Sequence, residues 1–331
     1  MTQPGIASKG RSGPILRALV GAVISVAALW IVISGADLAR TGDILRSANL
    51  RWVAAALLFV CLDLSFRALR WQRLLRPIAT VAYRPMLGYL LIGYLANNVL
   101  PARLGELIRV HYLGDREGIS RVSALGTVVV ERVVDLVACV SIASAALLVL
   151  SVRGIVASAV LVGGAVTALF LVILVLGIVG HRLPGAERIG ALVDRWPRIR
   201  DLGRSLQGGL SVASRPRTVG EAILASAASW TMAVLALAAA GQALGLQLSI
   251  GQAALIAAGV ALAAAVPAGP SNLGTFEFAA QELGKAVGLE ASSALALGVV
   301  VHVTILLTTS IGGAISFLRV GWARSASNAE A

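Results

Sequence analysis

The side chains of this chain that could do chemistry are charged residues that lie inside apolar stretches. Arg103, Glu106 and Arg109 are spaced three apart, so on a helix they share one face. A second group begins about 10 residues, or roughly 15 Å, into a later apolar stretch and comprises Glu131, Arg132 and Asp135. A charge at such depth in a membrane costs about 2.5–3.5 kcal/mol on insertion scales, so these residues must be paired or hydrated. They could bind a substrate or neutralise one another in a structural network, and the sequence leaves both roles open.

Two breaks rich in Gly, Pro and Asn interrupt apolar stretches in the two halves of the chain. The first break contains Asn97, Asn98, Pro101 and Gly105. The second break and the segment after it contain Pro267, Gly269, Pro270, Asn272, Gly274 and Glu277. Aligned on Pro101 and Pro270, both breaks read P-x-[RN]-L-G-x-[LF].

Paired Gly/Pro-interrupted apolar segments are typical of transport sites built from inverted repeats. A break frees backbone N–H and C=O groups, which are tolerated at membrane depth only in a wet cavity or within protein. The helices that follow Pro101 and Pro270 would point their N-termini at the midplane and favour an anion there, with Ser271 or Asn272 as N-cap. The alternative is that the prolines merely kink ordinary spans.

Composition indicates a membrane protein. Hydrophobic residues make up 58% of the chain and charged residues 13%, with a mean hydropathy of +0.87, whereas soluble domains carry about 25% charged residues. The net charge of +12 comes mainly from arginines between apolar stretches, which is typical of contact with anionic lipid, and we expect no nucleic-acid partner. Cys61 and Cys139 lie in apolar runs and the three histidines are far apart, so we expect no metal site and no cofactor.

The apolar stretches predict helices, because none shows the alternation of a barrel strand. They fall at 15–34, 52–69, 85–100, 122–150, 155–180, 221–243, 251–267 and 292–318. We therefore expect one transmembrane domain over residues 1–331. Its first half would be 15–180 and its second half 220–331, joined by a basic, amphipathic cytoplasmic loop over 181–219.

Arginine placement predicts the orientation in a bacterial inner membrane. The arginine-rich intervals 70–84 and 181–219 and both termini should be cytoplasmic, while 244–250 has no Lys or Arg and should be outside. The segment from 85 must then enter and leave on the inside, and the segment from 251 on the outside. The predicted fold is thus an all-α integral membrane protein with inverted repeats, about six full spans and two re-entrant broken-helix hairpins at 85–113 and 251–285. We expect Arg67, Arg70 and Arg73 to extend to the membrane interface.

Four motifs in order resemble the flippase-like transmembrane family typified by the membrane region of lysylphosphatidylglycerol synthases. They are Arg67–Trp71, Leu100–Arg109, Glu131–Asp135 and Pro270–Glu277. The resemblance implies a role in moving or handling a lipid, since members act on aminoacylated phospholipids, hopanoid-related lipids or polyprenyl-linked sugars. Two features depart from it. Ser271-Asn272 stands where members often have Gly-Gly, and no soluble aminoacyl-transfer domain follows, so lysylation by this chain alone is not expected.

The expected function is therefore translocation or presentation of an anionic lipid headgroup by a protein that is not an enzyme. Arg103 and Arg109 would hold phosphate, while the acidic residues would balance charge or carry a coupling proton; these are Glu106, Glu131, Asp135 and Glu277. His302, midway along the last span, could serve either packing or proton relay. Two alternatives stay open: a lipid-modifying membrane enzyme with Glu106 or Glu131 as general base, and a non-catalytic partner of a separate lipid synthase or glycosyltransferase.

Overall fold

The computed structural model describes residues 12–100, 104–152, 154–179, 197–264 and 269–329, and these contain helices and turns but no strand. The all-α prediction is confirmed. The helices of the first half are α1 Ser12–Gly35, α2 Leu38–Arg46, α3 Leu50–Leu75, α4 Tyr83–Val99, α5 Gly105–Glu117, α6 Arg121–Leu150 and α7 Ile155–Val179. Those that follow are α8 Pro197–Leu210, α9 Pro216–Ala243, α10 Ile250–Ala263, α11 Thr275–Ala286 and α12 Ala291–Ala329, with short 3₁₀ turns at Ser211–Ser214 and Pro270–Asn272.

Five of the described helices are long and apolar enough to cross a membrane, namely α3, α6, α7, α9 and α12. The α1–α2 pair, bent by 87°, brings the number to six if it is one span. Many large apolar side chains on these helices point away from the protein, for example Trp30, Leu148 and Leu161. Such a surface is stable when lipid rather than water surrounds it. The chain is a multi-pass membrane protein.

The turns between helices gather at two ends of the bundle. At the α2 end, the amide N–H of Asn49 donates to the carbonyl oxygen of Ala243 at 2.8 Å, and Ser292 donates to the carbonyl oxygen of Asp37. At the α8 end, the hydroxyl of Ser123 donates to the carbonyl oxygen of Ser205 at 2.9 Å. The predicted basic loop thus contains a helix, α8, that packs against the start of α6; its residues 181–196 lie outside the described part. Which end faces the cytoplasm stays a prediction.

Helices α4 and α5 form a hairpin that enters the bundle from the α8 end. Near its base the hydroxyl of Tyr89 donates to Glu117 at 2.7 Å, and near its tip the amide N–H of Gly105 donates to Oδ1 of Asn97 at 2.8 Å. The backbones touch here, because a Cβ on Gly105 would overlap the carbonyl oxygen of Gly93. Gly105 is therefore required by the close approach of the two helices.

Helices α10 and α11 form a second hairpin that enters from the α2 end. The side-chain amide of Gln252 donates to the carbonyl oxygen of Val287 at 2.9 Å, and Gly259 lies against Leu283 nearer the tip. Helix α10 begins with a capping box formed by Ser249 and Gln252, which fixes its start at the α2 end. The two broken segments therefore enter the bundle from opposite ends, as an inverted repeat requires.

We predict that Gly105→Ala destabilises the protein. The added methyl has no room between α4 and α5, and overpacking of this kind costs about 1–3 kcal/mol. Unfolding of the purified protein in mixed dodecylmaltoside–SDS micelles measures the change. Gly42→Ala is the control, because a Cβ at Gly42 meets no atom within 4 Å, so it should be neutral or slightly stabilising. Equal stability of the two variants would contradict the close packing.

Candidate functional site

Eight charged side chains from α3, α5 and α6 meet inside the bundle and form what we name the charged cluster. Its members are Asp63, Arg67, Arg70, Glu106, Arg109, Glu131, Arg132 and Asp135. On α3 the spacing of four and three residues places its members on one helix face, and the same holds for the three-residue spacing on α5. Four of the eight are arginines and four are acids, so among the described residues the cluster carries no formal net charge.

Arg70 is the centre of the cluster and is fully buried. Its guanidinium donates to both carboxylate oxygens of Asp135, at 2.5 and 2.8 Å, and also to Glu131 at 3.2 Å and to the hydroxyl of Ser226 at 2.8 Å. Arg109 contacts the same Glu131 at 3.2 Å. The prediction that Arg70 extends to the membrane interface is wrong, since two buried carboxylates on α6 need a buried cation and Arg70 supplies it.

The outer part of the cluster is accessible. Arg132 pairs with Glu106 at 3.0 Å, and their side chains are 38% and 30% exposed. Arg132 also lies 3.8 Å from Oδ2 of Asp135, and Arg67 lies 4.0 Å from the same oxygen. Arg67 in turn holds Asp63 at 2.8 Å. A row of charges therefore leads from the half-exposed pair to the interior of the bundle.

Arg109 is buried but uses only part of its guanidinium. The group lies over the Trp71 ring, 4.5 Å from its centroid, and its Nε and Nη2 have no hydrogen-bond partner in the structure. The indole N–H of Trp71 donates to Thr127, which fixes the ring under the guanidinium. Arg109 thus has free N–H groups beside the cluster, although Glu131 already neutralises its charge.

The tips of the two hairpins touch. The hydroxyl of Ser271 in the second tip donates to the carbonyl oxygen of Asn98 in the first at 2.8 Å. The side-chain amide of Asn98 donates to the hydroxyls of Thr309 and Ser310 on α12 at 2.9 and 3.0 Å. Two of the predicted site residues therefore make structural contacts. Asn97 accepts the N–H of Gly105, and Asn98 joins the first tip to the second tip and to α12.

The second tip is organised by Glu277. One carboxylate oxygen accepts the amide N–H of Gly274 at 2.7 Å, and the other lies 2.5 Å from Nδ1 of His302. The prediction of Ser271 or Asn272 as N-cap is wrong: both have positive φ, and α11 starts at Gly274 with Glu277 satisfying its first N–H. The positive end of α11, expected to attract a ligand anion, faces a carboxylate of the chain itself.

The structure thus divides the predicted site residues into two groups. Glu106, Arg109, Glu131, Arg132 and Asp135 belong to the charged cluster, whereas Glu277 pairs with His302 at the second tip. Of the predicted structural breaks, Gly269 donates its N–H to Ser25 on α1 and Pro270 begins a 3₁₀ turn. Three predicted residues lie outside the described part: Pro101, Arg103 and Pro267.

Asp63, Arg67 and Arg70 are site members that were not among the predicted site residues, and Arg67 and Arg70 were expected to extend to the membrane interface. The signal was available, because an acid and two arginines at four- and three-residue spacing in an apolar span mark a charged helix face. Ser226 and Ser229 on α9, which bond Arg70 and Asp63, carried no such signal. Within the described residues no group of three or more His, Cys, Asp or Glu side chains could hold a metal ion.

Two cavities adjoin the cluster and share Trp230. One, which we name the inner cavity, has a volume of about 140 Å³ and is lined mainly by apolar side chains of α3 and α9 to α12 such as Phe276, together with the charged Asp63 and Arg67. The other is an apolar groove of about 780 Å³, walled mainly by α6, α7 and α9. A mainly apolar cavity with two charged side chains therefore lies beside an apolar groove.

The sequence matches a known family. Residues 18–313 match the family described as lysylphosphatidylglycerol synthase TM region. The chain belongs to this family. The match covers the charged cluster and both hairpins, so the predicted resemblance is confirmed.

Two curated relatives were found by sequence. Over 91% of its length the chain is 27% identical to a protein named Glycosyltransferase AglD from Haloferax volcanii, of which it covers 54%. It is 30% identical, over 35% of each chain, to a UPF0104 membrane protein from Methanothermobacter thermautotrophicus. The chain thus spans about half the length of the first relative and about a third of the second.

We predict that Arg70→Ala severely destabilises the fold. Removing the guanidinium leaves the carboxylates of Asp135 and Glu131 buried without their main partner, which costs about 3–5 kcal/mol. The same unfolding assay in mixed micelles measures the loss. Arg73→Ala is the matched control, since Arg73 is one turn away and 37% exposed, 3.6 Å from Glu221, where a pair contributes about 0–1 kcal/mol. Similar losses for both variants would show that the buried pairing is not what holds α3 to α6.

Proposed function

We propose that this chain moves the headgroup of an anionic lipid across the membrane. Membership of a lipid-related membrane family supports a role in lipid handling. The observation that carries the finer proposal is the row of charges that connects a half-exposed pair with Arg67 and Asp63, which line the inner cavity of the bundle. Ionisable groups in such a position inside a membrane mark substrate pathways.

The members of the cluster have different parts in this proposal. The fully buried pairs of Arg70 with Asp135 and Glu131 hold α3 and α6 together, because separating them would leave bare charges. The half-exposed pair of Arg132 and Glu106 is held only by about 0–1 kcal/mol, as exposed pairs are. A lipid phosphate can displace Glu106 and accept two parallel hydrogen bonds from Arg132. The free N–H groups of Arg109 lie on the adjacent helix α5.

Arg67 and Asp63 are the groups that the headgroup would contact next along this path. They line the inner cavity, and Arg67 shares the Oδ2 atom of Asp135 with Arg132. The acyl chains would stay in the apolar groove along α6, α7 and α9, which shares Trp230 with the inner cavity. Keeping the tails in apolar surroundings avoids the cost of about 0.8 kcal/mol for each exposed CH₂ group.

A second candidate is a membrane partner that presents an anionic lipid to a glycosyltransferase. The name of the Haloferax volcanii relative favours it, as does the fact that the chain covers 54% of that protein. The same arginines would then hold the phosphate of a lipid-linked sugar without carrying it across. Movement of lipid by the purified chain alone distinguishes the two candidates.

We predict that proteoliposomes of the purified chain move fluorescent phosphatidylglycerol, labelled on one acyl chain, faster than equally labelled phosphatidylcholine, which has no net charge. Arg132→Gln should slow the transbilayer movement of phosphatidylglycerol about tenfold or more, because a hydrogen bond to a charged group contributes about 1.5–3 kcal/mol. Quenching of outer-leaflet label by dithionite measures the rate.

The control for this experiment is Arg217→Gln. Arg217 also pairs with a glutamate, Glu221, at 3.1 Å, but its side chain is 85% exposed and it lies at the start of α9, outside the cluster. This variant should transport like the wild type. Equal rates for both lipids, or an Arg132→Gln variant as fast as Arg217→Gln, would refute the proposal.

A further inference from the structure

The imidazole of His302 lies between two hydrogen-bond acceptors. Its Nδ1 is 2.5 Å from a carboxylate oxygen of Glu277, and its Nε2 is 2.9 Å from the carbonyl oxygen of Ser271. A backbone carbonyl can only accept, so the second contact is a hydrogen bond only when Nε2 carries a hydrogen. A further proton must lie between Nδ1 and the carboxylate, because two bare acceptors at that distance repel each other.

The contacts therefore define how many protons the pair holds. Glu277 and His302 together carry two, either as imidazolium beside carboxylate or as neutral imidazole beside carboxylic acid. Both forms have no net charge, which suits the side chains of Glu277 and His302, because these are only 11% and 4% exposed. Loss of one proton to water leaves a net negative charge and one N–H for two acceptors, so one of the two contacts must break.

The contact that breaks is the one to Ser271. The remaining N–H stays with the charged carboxylate, since hydrogen bonds to ionised acceptors are the stronger ones. The bare Nε2 then faces the carbonyl oxygen of Ser271 and repels it. Ser271 has φ 58°, a conformation that L side chains rarely adopt, so its backbone position depends on its contacts with neighbouring groups. Its hydroxyl is the group that joins the second tip to Asn98 in the first.

We propose that Glu277 and His302 form a proton-binding site whose occupied state joins the two hairpin tips. Resting on the proposed function, the proton is then the coupling ion for lipid movement, because its uptake closes and its release opens the contact between the two tips. The tips are joined at low pH, where the pair holds both protons, and separate as the pH rises through the midpoint at which one proton leaves.

The surroundings of the pair contain few other groups that titrate. Phe276 stacks on the His302 ring with centroids 4.2 Å apart and also lines the inner cavity, across which Asp63 and Arg67 of α3 face it. On α4, Tyr94 packs in the same apolar cluster as Ile305, close to His302 on α12.

Helices α9 and α10 present no charged residue at this level, and α1 contributes Ser25. At the α2 end, Arg40 of α2 pairs with Glu290, and on α11 Lys285 pairs with Glu282.

Glu277→Gln separates proton binding from structure. The glutamine oxygen can accept the N–H of Gly274 and its NH₂ can donate to Nδ1 of His302, so a neutral imidazole with hydrogen on Nε2 keeps every bond. The variant should fold and keep the tips joined at all pH values. The experiment places spin labels at Leu100 and Leu273, in the two tips, and records their distance by electron paramagnetic resonance between pH 5 and pH 9. The wild type should shift to longer distances as the pH rises, and Glu277→Gln should lose that shift.

The matched control is Asp115→Asn, which alters another carboxylate that lies beside a histidine. Asp115 lies 3.2 Å from His111 at the α8 end. The side chain of Asp115 is 35% exposed and that of His111 is 55% exposed. This variant should keep the pH-dependent shift. A wild-type distance that does not change with pH, or a Glu277→Gln variant that still shifts, would overturn the proposal.

Nitrogen-15 spectra of histidine provide a readout that needs no change at Glu277. In a chain with His111→Gln and His181→Gln, His302 gives the one histidine signal, which should change with pH as the pair loses a proton. A single protonation state throughout would overturn the proton site even if lipid moves. Titration together with a distance shift, but without lipid movement, would instead refute the proposed function and leave the proton site standing.

Discussion

The structure depends on the neutralisation of charge where water is absent. A guanidinium such as that of Arg70 can remain in the interior only if carboxylates satisfy it, and Asp135 and Glu131 do so from a different helix. Each of these charges would destabilise the bundle alone, so α3 and α6 have one relative position in which all are paired. Ser226 extends the same constraint to α9. The half-exposed Arg132 and Glu106 lie at the edge of this arrangement, where the geometry is held by the buried pairs and their own attraction is weak.

The second constraint concerns backbone groups freed where the hairpins turn. Side chains satisfy them in both tips: Asn97 accepts from Gly105, Ser25 from Gly269 and Glu277 from Gly274. Ser271 then uses the carbonyl oxygen of Asn98 to join the tips. Irregular backbone inside a membrane is stable only when enclosed by protein in this way or when it lines a wet cavity. In the described part of the tips, these freed backbone groups are enclosed by protein.

The sequence was sufficient for the fold class, because composition, the lengths of the apolar stretches and the paired breaks depend on local physics. It also identified the α5 and α6 members of the cluster from their spacing. The sequence was not sufficient to predict which side chains these residues pair with. The charged residues of the two groups could have neutralised one another, but Glu131 and Asp135 also pair with Arg70, because helix neighbours are decided by tertiary packing. Glu277 was grouped with the cluster for the same reason, although its local role, three residues after Gly274, is the ordinary one of an acid in the first turn of a helix.

The two halves of the inverted repeat carry different chemistry on a similar backbone. After the first break come Glu106 and Arg109, which join a cluster rich in arginine, whereas after the second comes Glu277, which faces His302. Guanidinium groups stay charged at every physiological pH and suit the recognition of phosphate. A histidine beside a carboxylate can instead change its proton content in that range. A repeat with the same function in both halves would have no reason for this difference. The asymmetry therefore favours a division of labour, in which one tip provides the anion site and the other responds to protons, with Ser271 and Asn98 as the mechanical link between them.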